Sequence, residues 1–384
     1  MLHLPMHIPP DLHLLYSDVP ADVFDGTFRA ASQRMDRYIG SLTVELAAAL
    51  GITSGEVANA SELVASRGWS RDGELAVSWL LETLELYGLA RRHDRGWFVE
   101  LSTSLPPSAA LRQEAVAALP SSEPAYRVFE LSAQLLPAVL AGQARGEDAL
   151  FGPAAMGVWF DYFSNDNPHY APNNVLAAIA VARCAKPGVA LLEVGGGAGS
   201  AALATLAALA EQHCAPARYT FTELHPAFLR RGSRALQGAL PPGCAFEPRR
   251  VDINAGLLGQ GLALESYDVI FGVNTLHLAL DLVGCLGELR ALLRPGGCLV
   301  IGELVRPPAE RAVHLELPFT LLEAYRAGAK DQSRPRAGFQ TAATWTRVLA
   351  DAGFARSTLL PAQIERCAGL YPGFYAGVIT GHTD

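Results

Sequence analysis

The stretch Leu191-Leu192-Glu193-Val194-Gly195-Gly196-Gly197-Ala198-Gly199-Ser200 constrains this chain more than any other. An apolar run stops at an acid, a glycine turn follows, and an alanine-rich helical segment begins. Glycines adopt φ values that other residues avoid and let backbone approach a ligand closely. The N-terminus of the following helix offers unpaired N–H groups and partial positive charge. The stretch predicts a strand that delivers a nucleotide-like ligand to a helix N-terminus. Residues 197–202 also satisfy the G-x-G-x-x-A dinucleotide form, so a nicotinamide cofactor is a second reading of the glycines alone.

The 384 residues suit two domains, or one large domain with an appendage. With 50% hydrophobic and 18% charged residues, the chain has enough apolar surface for a sizeable core. A net charge of -8 argues against coating nucleic-acid phosphates. Six cysteines, with no C-x-x-C spacing, read as reduced thiols of a cytoplasmic protein. The opening residues lack a basic segment before their apolar ones and do not read as a signal peptide. No apolar run approaches the ~20 residues of a membrane span.

Helical patterns are expected at 22–50 (stopped by Gly51), 61–68 and 72–88, followed by two short strands around a turn at Asp94-Arg95-Gly96. Three helices and a hairpin make a winged-helix arrangement. DNA binding is one reading of it. Asp72, Glu74, Glu82 and Glu85 on the third helix would repel phosphates. The other reading is a dimerisation or substrate-lining module, and a homodimer is expected. Residues 103–125 read as a linker and 125–143 as a further helix. Strands are then expected at 189–194, 218–224, 245–252, 267–274, 297–304, 355–362 and 374–381. Helices fill the gaps, except between the last two strands. This alternation predicts a doubly wound, mostly parallel sheet ending in an antiparallel hairpin.

The pattern Glu193-x-Gly195-x-Gly197-x-Gly199 resembles the first motif of class I S-adenosylmethionine (SAM) methyltransferases. Residues 289–303, LRALLRPGGCLVIGE, resemble the helix and "LKPGG" turn that follow the fourth strand there. The resemblance implies an α/β fold: a Rossmann-like methyltransferase sheet with an antiparallel terminal hairpin, plus a mainly helical, winged-helix-like N-terminal domain and a helical lid. The expected boundaries are 1–104, 105–175 and 176–384. The implied cofactor is SAM. Gly195, Gly197 and Gly199 would wrap its methionine part, and Glu193 would accept from its ammonium. Glu223 would take the ribose hydroxyls, Asp252 the adenine amino group, and Ile253 would pack on the ring. Asn274 would lie near the transferred methyl.

Two families share features around the fourth strand end, Asn274-Thr275-Leu276-His277. Small-molecule O-methyltransferases with an N-terminal winged helix have a histidine there in an "LHDW-D" context. Polyketide-synthase C-methyltransferase domains have a similar "N-x-LH" step. Both resemblances imply His277 as the base and Glu303, at the fifth strand end, as the carboxylate that orients it. A structural histidine is the alternative. The Asp-Trp pair is Leu278-Ala279 here, although Asp281 is kept. The second glutamate of the O-methylating family falls near Phe339-Gln340, where no carboxylate occurs. This favours an acidic carbon over a hydroxyl as the acceptor.

The segment 146–188 resembles the lid of the polyketide C-methyltransferase domains. Trp159, Tyr162, Phe163, His169 and Tyr170, with Phe160, are expected to cover a substrate that is free or carrier-bound. Arg326, Lys330, Arg334 and Arg336 would receive a carboxylate or phosphate, or else form a solvated charged loop. His169, His225, His277 and His314 show no H-x-H or H-x-x-E-H spacing, so no metal is expected. Two other classes stay open: a methyltransferase-like cyclase that does not consume SAM, and a winged-helix regulator.

Overall fold

The computed structural model describes residues 10–101, 105–328, 331–371, 373 and 375–384. The N-terminal module is built from α1 (Gly26–Ala49), β1 (Gly55–Ala58), α2 (Ala60–Ser66), α3 (Glu74–Leu86), β2 (Ala90–His93) and β3 (Gly96–Val99). Asp25 starts α1 by accepting from Phe28 N at 2.8 Å, and Gly51 (φ 66°) stops it. The expected hairpin forms, with Ala90 opposite Val99 and His93 opposite Gly96. One strand more is present than the sequence reading expects: β1 pairs antiparallel with β3. Gly96 makes that pairing possible, since a Cβ there would lie 2.3 Å from the Val57 carbonyl oxygen.

A helical run follows: α4 (Ser108–Ala118), α5 (Glu123–Leu140), α6 (Gly146–Leu150), α7 (Met156–Tyr162) and α8 (Ala171–Cys184). The helix α3 is not a free reading head. Val77, Leu80, Leu81 and Leu84 are buried, and Trp79 Nε1 donates to the Val313 carbonyl at 3.1 Å.

The rest of the chain winds the large sheet. Its elements are β4 (Ala190–Glu193), α9 (Ser200–Glu211), β5 (Arg218–Thr222), α10 (Pro226–Gln237), β6 (Ala245–Arg249), β7 (Tyr267–Val273), α11 (Leu282–Leu292) and β8 (Leu293–Leu304). Then come α12 (Leu317–Thr320), α13 (Glu323–Ala327), α14 (Ala342–Asp351), β9 (Arg356–Leu360), α15 (Ile364–Leu370) and β10 (Ala376–His382). The strand order is β6-β5-β4-β7-β8-β10-β9. Strands β4 to β8 pair in parallel, and β10 runs antiparallel to both β8 and β9. The expected bare connection between the last two strands is corrected: it contains α15. Strand order reverses at β4/β7, which opens a crevice at their carboxyl ends.

Two cores result. Leu191, Leu192, Ile270, Phe271, Val300 and Ile301 centre the sheet core, which also takes Leu12, Tyr16, Val19 and Phe24 from the N-terminal segment. The second core joins α1, α3 and α5 to Val313, Leu317, Leu321 and Phe339. Between them lies a buried polar knot. Asp36 of α1 meets His314 Nε2 at 2.8 Å and accepts from the Tyr371 hydroxyl at 2.6 Å. The Tyr375 hydroxyl meets His314 Nδ1 at 2.6 Å. Removing one member of such a knot orphans the others. Asp36→Ala is expected to destabilise the protein by about 3–5 kcal/mol, read from denaturant midpoints. A loss below about 0.5 kcal/mol would mean the knot contributes nothing.

Candidate active site

At the carboxyl end of β4 the chain turns through Gly195, Gly197 and Gly199, with φ of 65°, 55° and 90°. Gly195 needs glycine for a further reason. A Cβ on Gly195 would lie 2.4 Å from Thr275 Cγ2, so the turn could not sit against the β7 end. A Cβ on Gly197 would meet nothing within 4 Å, because that side of the backbone is open space beside a cavity. Gly195→Ala is expected to cost about 1–3 kcal/mol through its left-handed φ and the Thr275 clash, and to weaken donor binding. Thermal melts with and without SAM measure both; an unchanged melt and affinity would contradict the reading.

The cavity, about 450 Å³, lies over the sheet's reversal point. It is lined by Glu193, Gly195, Gly197, Glu223, Asp252, Ile253 and Asn274. Gly199 is not among the lining residues; it caps α9 just behind. Glu193 is 1% exposed. Its Oε2 accepts from the Tyr219 hydroxyl at 2.8 Å, while its Oε1 is buried without a partner. Burial pushes this carboxyl up to about 8; the Tyr219 bond opposes the shift and the Glu223 charge adds to it. Glu223 accepts from Gly197 N (2.9 Å) and His225 N (2.7 Å), which pins the glycine turn to the end of β5. Asp252 Oδ1 accepts from Asn254 N at 2.8 Å. Asn274 closes β7 in a left-handed conformation (φ 50°), which asparagine tolerates better than most residues, and its Oδ1 accepts from Leu304 N at 2.9 Å.

His277 and Glu303 meet across the ends of β7 and β8. They are 3% and 0% exposed. His277 Nδ1 lies 2.8 Å from Glu303 Oε2, and Glu303 Oε1 accepts from His277 N at 3.3 Å. The carboxylate thus holds both the ring and its backbone, and places the proton on Nδ1. His277 lines the cavity, and among the described residues no hydrogen bond engages Nε2. The Phe339 and Tyr325 rings flank the imidazole at 4.5 and 5.5 Å. Asp281, kept from the resembled motif, caps α11 by accepting from Gly284 N at 2.9 Å.

Of the expected lid residues, Tyr162, Phe163, His169 and Tyr170 line the cavity. Trp159 does not. It is buried behind them, stacked between Phe151 (4.9 Å) and Phe163 (5.1 Å), with Nε1 donating to the Leu150 carbonyl at 2.6 Å. Burial lowers His169 to about 4, so the ring is neutral near pH 7, and its Nε2 is buried without a partner. The loop arginines are neither anion receivers nor a solvated patch. Arg334 is buried and donates to the carbonyls of His277 (2.7 Å) and Ala279. Arg336 meets Glu82 at 3.1 Å, and Arg326 meets Asp72 at 3.3 Å. Lys330 lies outside the described residues. His314 belongs to the buried knot and His225 to the cavity rim.

The sequence reading missed Phe319, Leu322 and Tyr325 as cavity wall, which Phe339 joins. Tyr325 is set by its hydroxyl, which donates to Glu316, itself paired with Arg306. Phe339 follows the loop that carries Arg334 and Arg336, and nothing local marks it as the residue that faces inward.

Residues 192–299 match the family described as methyltransferase domain. The match spans β4 through most of β8 and so carries the glycine turn, and the sheet order is that of the class I SAM-dependent methyltransferase fold. The chain is 32% identical to polyketide synthase ThaQ of Burkholderia thailandensis over 302 residues, which are 74% of this chain. It spans 14% of that protein's length. Among solved structures, the CurJ carbon methyltransferase superposes with a TM-score of 0.74 at 20% identity, covering 99% of this chain and 98% of that one. The DszA carbon methyltransferase gives 0.71 at 22%, covering 99% and 95%. These two likenesses show the fold. No helix among the described residues is long and apolar enough to cross a membrane.

Proposed function

We propose that the chain methylates an acidic carbon of an acyl substrate, a 3-ketoacyl thioester or a close analogue, with His277 as base and Glu303 as its positioning carboxylate. The observation that carries this is the 2.8 Å contact between His277 Nδ1 and Glu303, which leaves Nε2 free in the same cavity as the glycine turn. Glu193 supports SAM as the occupant of the other end. A buried carboxyl oxygen without a partner, beside open backbone, suits a bound ammonium. Glu223 and Asp252 would take the ribose and adenine, with Ile253 against the ring. Bound SAM supplies an electrophilic methyl group, already activated by its sulfonium.

The chain's own residues prepare the acceptor. His277 Nε2 takes the α-proton, and Glu303 stabilises the imidazolium that forms. Phe339, Tyr325, Phe319 and Leu322 exclude water and hold the acyl chain so that the α-carbon faces the donor end. Tyr170, which lines the cavity together with Asn274, closes the space between the two ends. Carbon is favoured over oxygen because the residues near the second glutamate of the O-methylating pattern are occupied otherwise. Phe339 packs on the imidazole, and Gln340 Nε2 is tied to the carbonyls of Arg336 and Gly338 at 2.8 and 2.6 Å. CurJ and DszA are carbon methyltransferases, which supports the same choice. The polyketide-synthase relatives support delivery on a carrier.

The test supplies methyl-labelled SAM with a 3-ketoacyl thioester and, separately, a phenol of similar size. Label on the α-carbon of the thioester is the expected outcome. Label on oxygen would make it an O-methyltransferase. Unconsumed SAM with a rearranged product would make it a cyclase.

A further inference from the structure

Far from the cavity, the fold brings three soft donors together that no step above uses. Cys298 and His382 sit opposite each other in the β8/β10 ladder, so their side chains project on one face. Cys184, the last residue of α8, meets them from the helix packed on that face, with its Sγ 2.7 Å from Cys298 Sγ. One ligand atom from each of the three residues lies within 4.8 Å of the other two. Cys298 is buried, while Cys184 and His382 are half-buried, so the group has one wall of protein and one side toward solvent. We infer that Cys184, Cys298 and His382 form a zinc site, with solvent in the fourth position.

Two thiolates and an imidazole are a usual donor set for tetrahedral zinc. Thiolates on one zinc stand ~3.8 Å apart, from Zn–S bonds of ~2.3 Å. A disulfide needs ~2.05 Å. The observed separation lies between these, so either cross-link needs a sulfur shift of about 1 Å or less. The imidazole decides between them, because a disulfide has no use for a third donor and a metal has. Binding replaces two S–H protons with two S–Zn bonds and takes a lone pair from neutral His382; two protons leave to solvent. Arg356, opposite His382 on β9, is the nearby cation. The complex of zinc with two thiolates carries no net charge for it to oppose. The metal would pin the end of α8 to β8 and β10. Glu303 lies five residues further along β8, about 17 Å away along the strand, so the site takes no part in the methyl transfer.

The full chain, reduced with a phosphine and stripped with a chelator, is titrated with zinc in competition with a chromophoric chelator, and with cobalt as a spectroscopic probe. The expected result is one equivalent of zinc, a sulfur-to-cobalt charge-transfer band, and a raised melting midpoint. Cys184→Ser, the half-buried position, should weaken binding at least 100-fold and remove the band. His382→Ala should weaken binding at least 10-fold with the band shifted. SAM affinity should not change with zinc. Binding equal in wild type and Cys184→Ser overturns the inference, as does a metal-free protein whose two thiols are joined in a disulfide under the same reduction.

Discussion

His277→Ala is expected to lower methyl transfer by a factor of about 10²–10⁴, the usual contribution of a positioned general base. SAM affinity should stay at the wild-type value, because the imidazole touches neither the glycine turn nor Glu193 or Glu223. Glu303→Gln should fall short of the alanine variant in severity while shifting the pH profile. An amide keeps one acceptor oxygen, enough for His277 N or Nδ1 but not for both, and it no longer offsets the imidazolium charge. A merely structural Glu303 would lower stability and leave the profile in place. Single-turnover rates with labelled SAM, alongside equilibrium binding, separate these outcomes. Full turnover by His277→Ala would remove the base from the mechanism.

The second large effect is a pH linkage at Glu193. Its carboxyl is raised from the ordinary 4.5 to about 8, chiefly by burial. The folded apo-protein therefore keeps a proton that the unfolded chain has released between those values. The stability this gives is complete below about 4.5 and is lost as pH rises through about 8. A bound ammonium reverses the preference, since it favours the carboxylate. Donor binding near pH 7 should expel about one proton, and affinity should rise up to tenfold per pH unit before levelling above about 8. Calorimetry in buffers of different ionisation heat reads the proton directly. Glu193→Gln should abolish the release, flatten the stability slope between pH 5 and 8, and weaken binding. No proton release by the wild type would place the ammonium elsewhere.

The residues that sequence made legible share one property. Glu193, Glu223, Asp252, Asn274, His277 and Glu303 each end or follow a parallel strand, and apolar runs mark strand ends locally. Once the sheet is doubly wound, those ends converge on one crevice, and the cavity there is lined by all of them except Glu303, which sits behind His277. What was not legible depends on contacts distant in sequence. The strand β1 pairs with β3 across some forty residues, and no alternation marks its four residues. Trp159 and Tyr162 look alike in sequence, yet only the tyrosine faces the cavity. Arg334 reads as a loop charge until its guanidinium is seen under the His277 turn. Cys184 and Cys298, 114 residues apart, meet only because α8 packs on β8.

The most direct test of a base poised in the cavity is α-proton exchange, with no methyl transfer at all. A 3-ketoacyl thioester is incubated in D₂O with the protein and S-adenosylhomocysteine, and deuterium uptake at the α-carbon is followed by NMR. The wild type should exchange faster than buffer, and His277→Ala should fall to the buffer rate. Equal exchange by the two proteins would contradict His277 as the group that removes the proton.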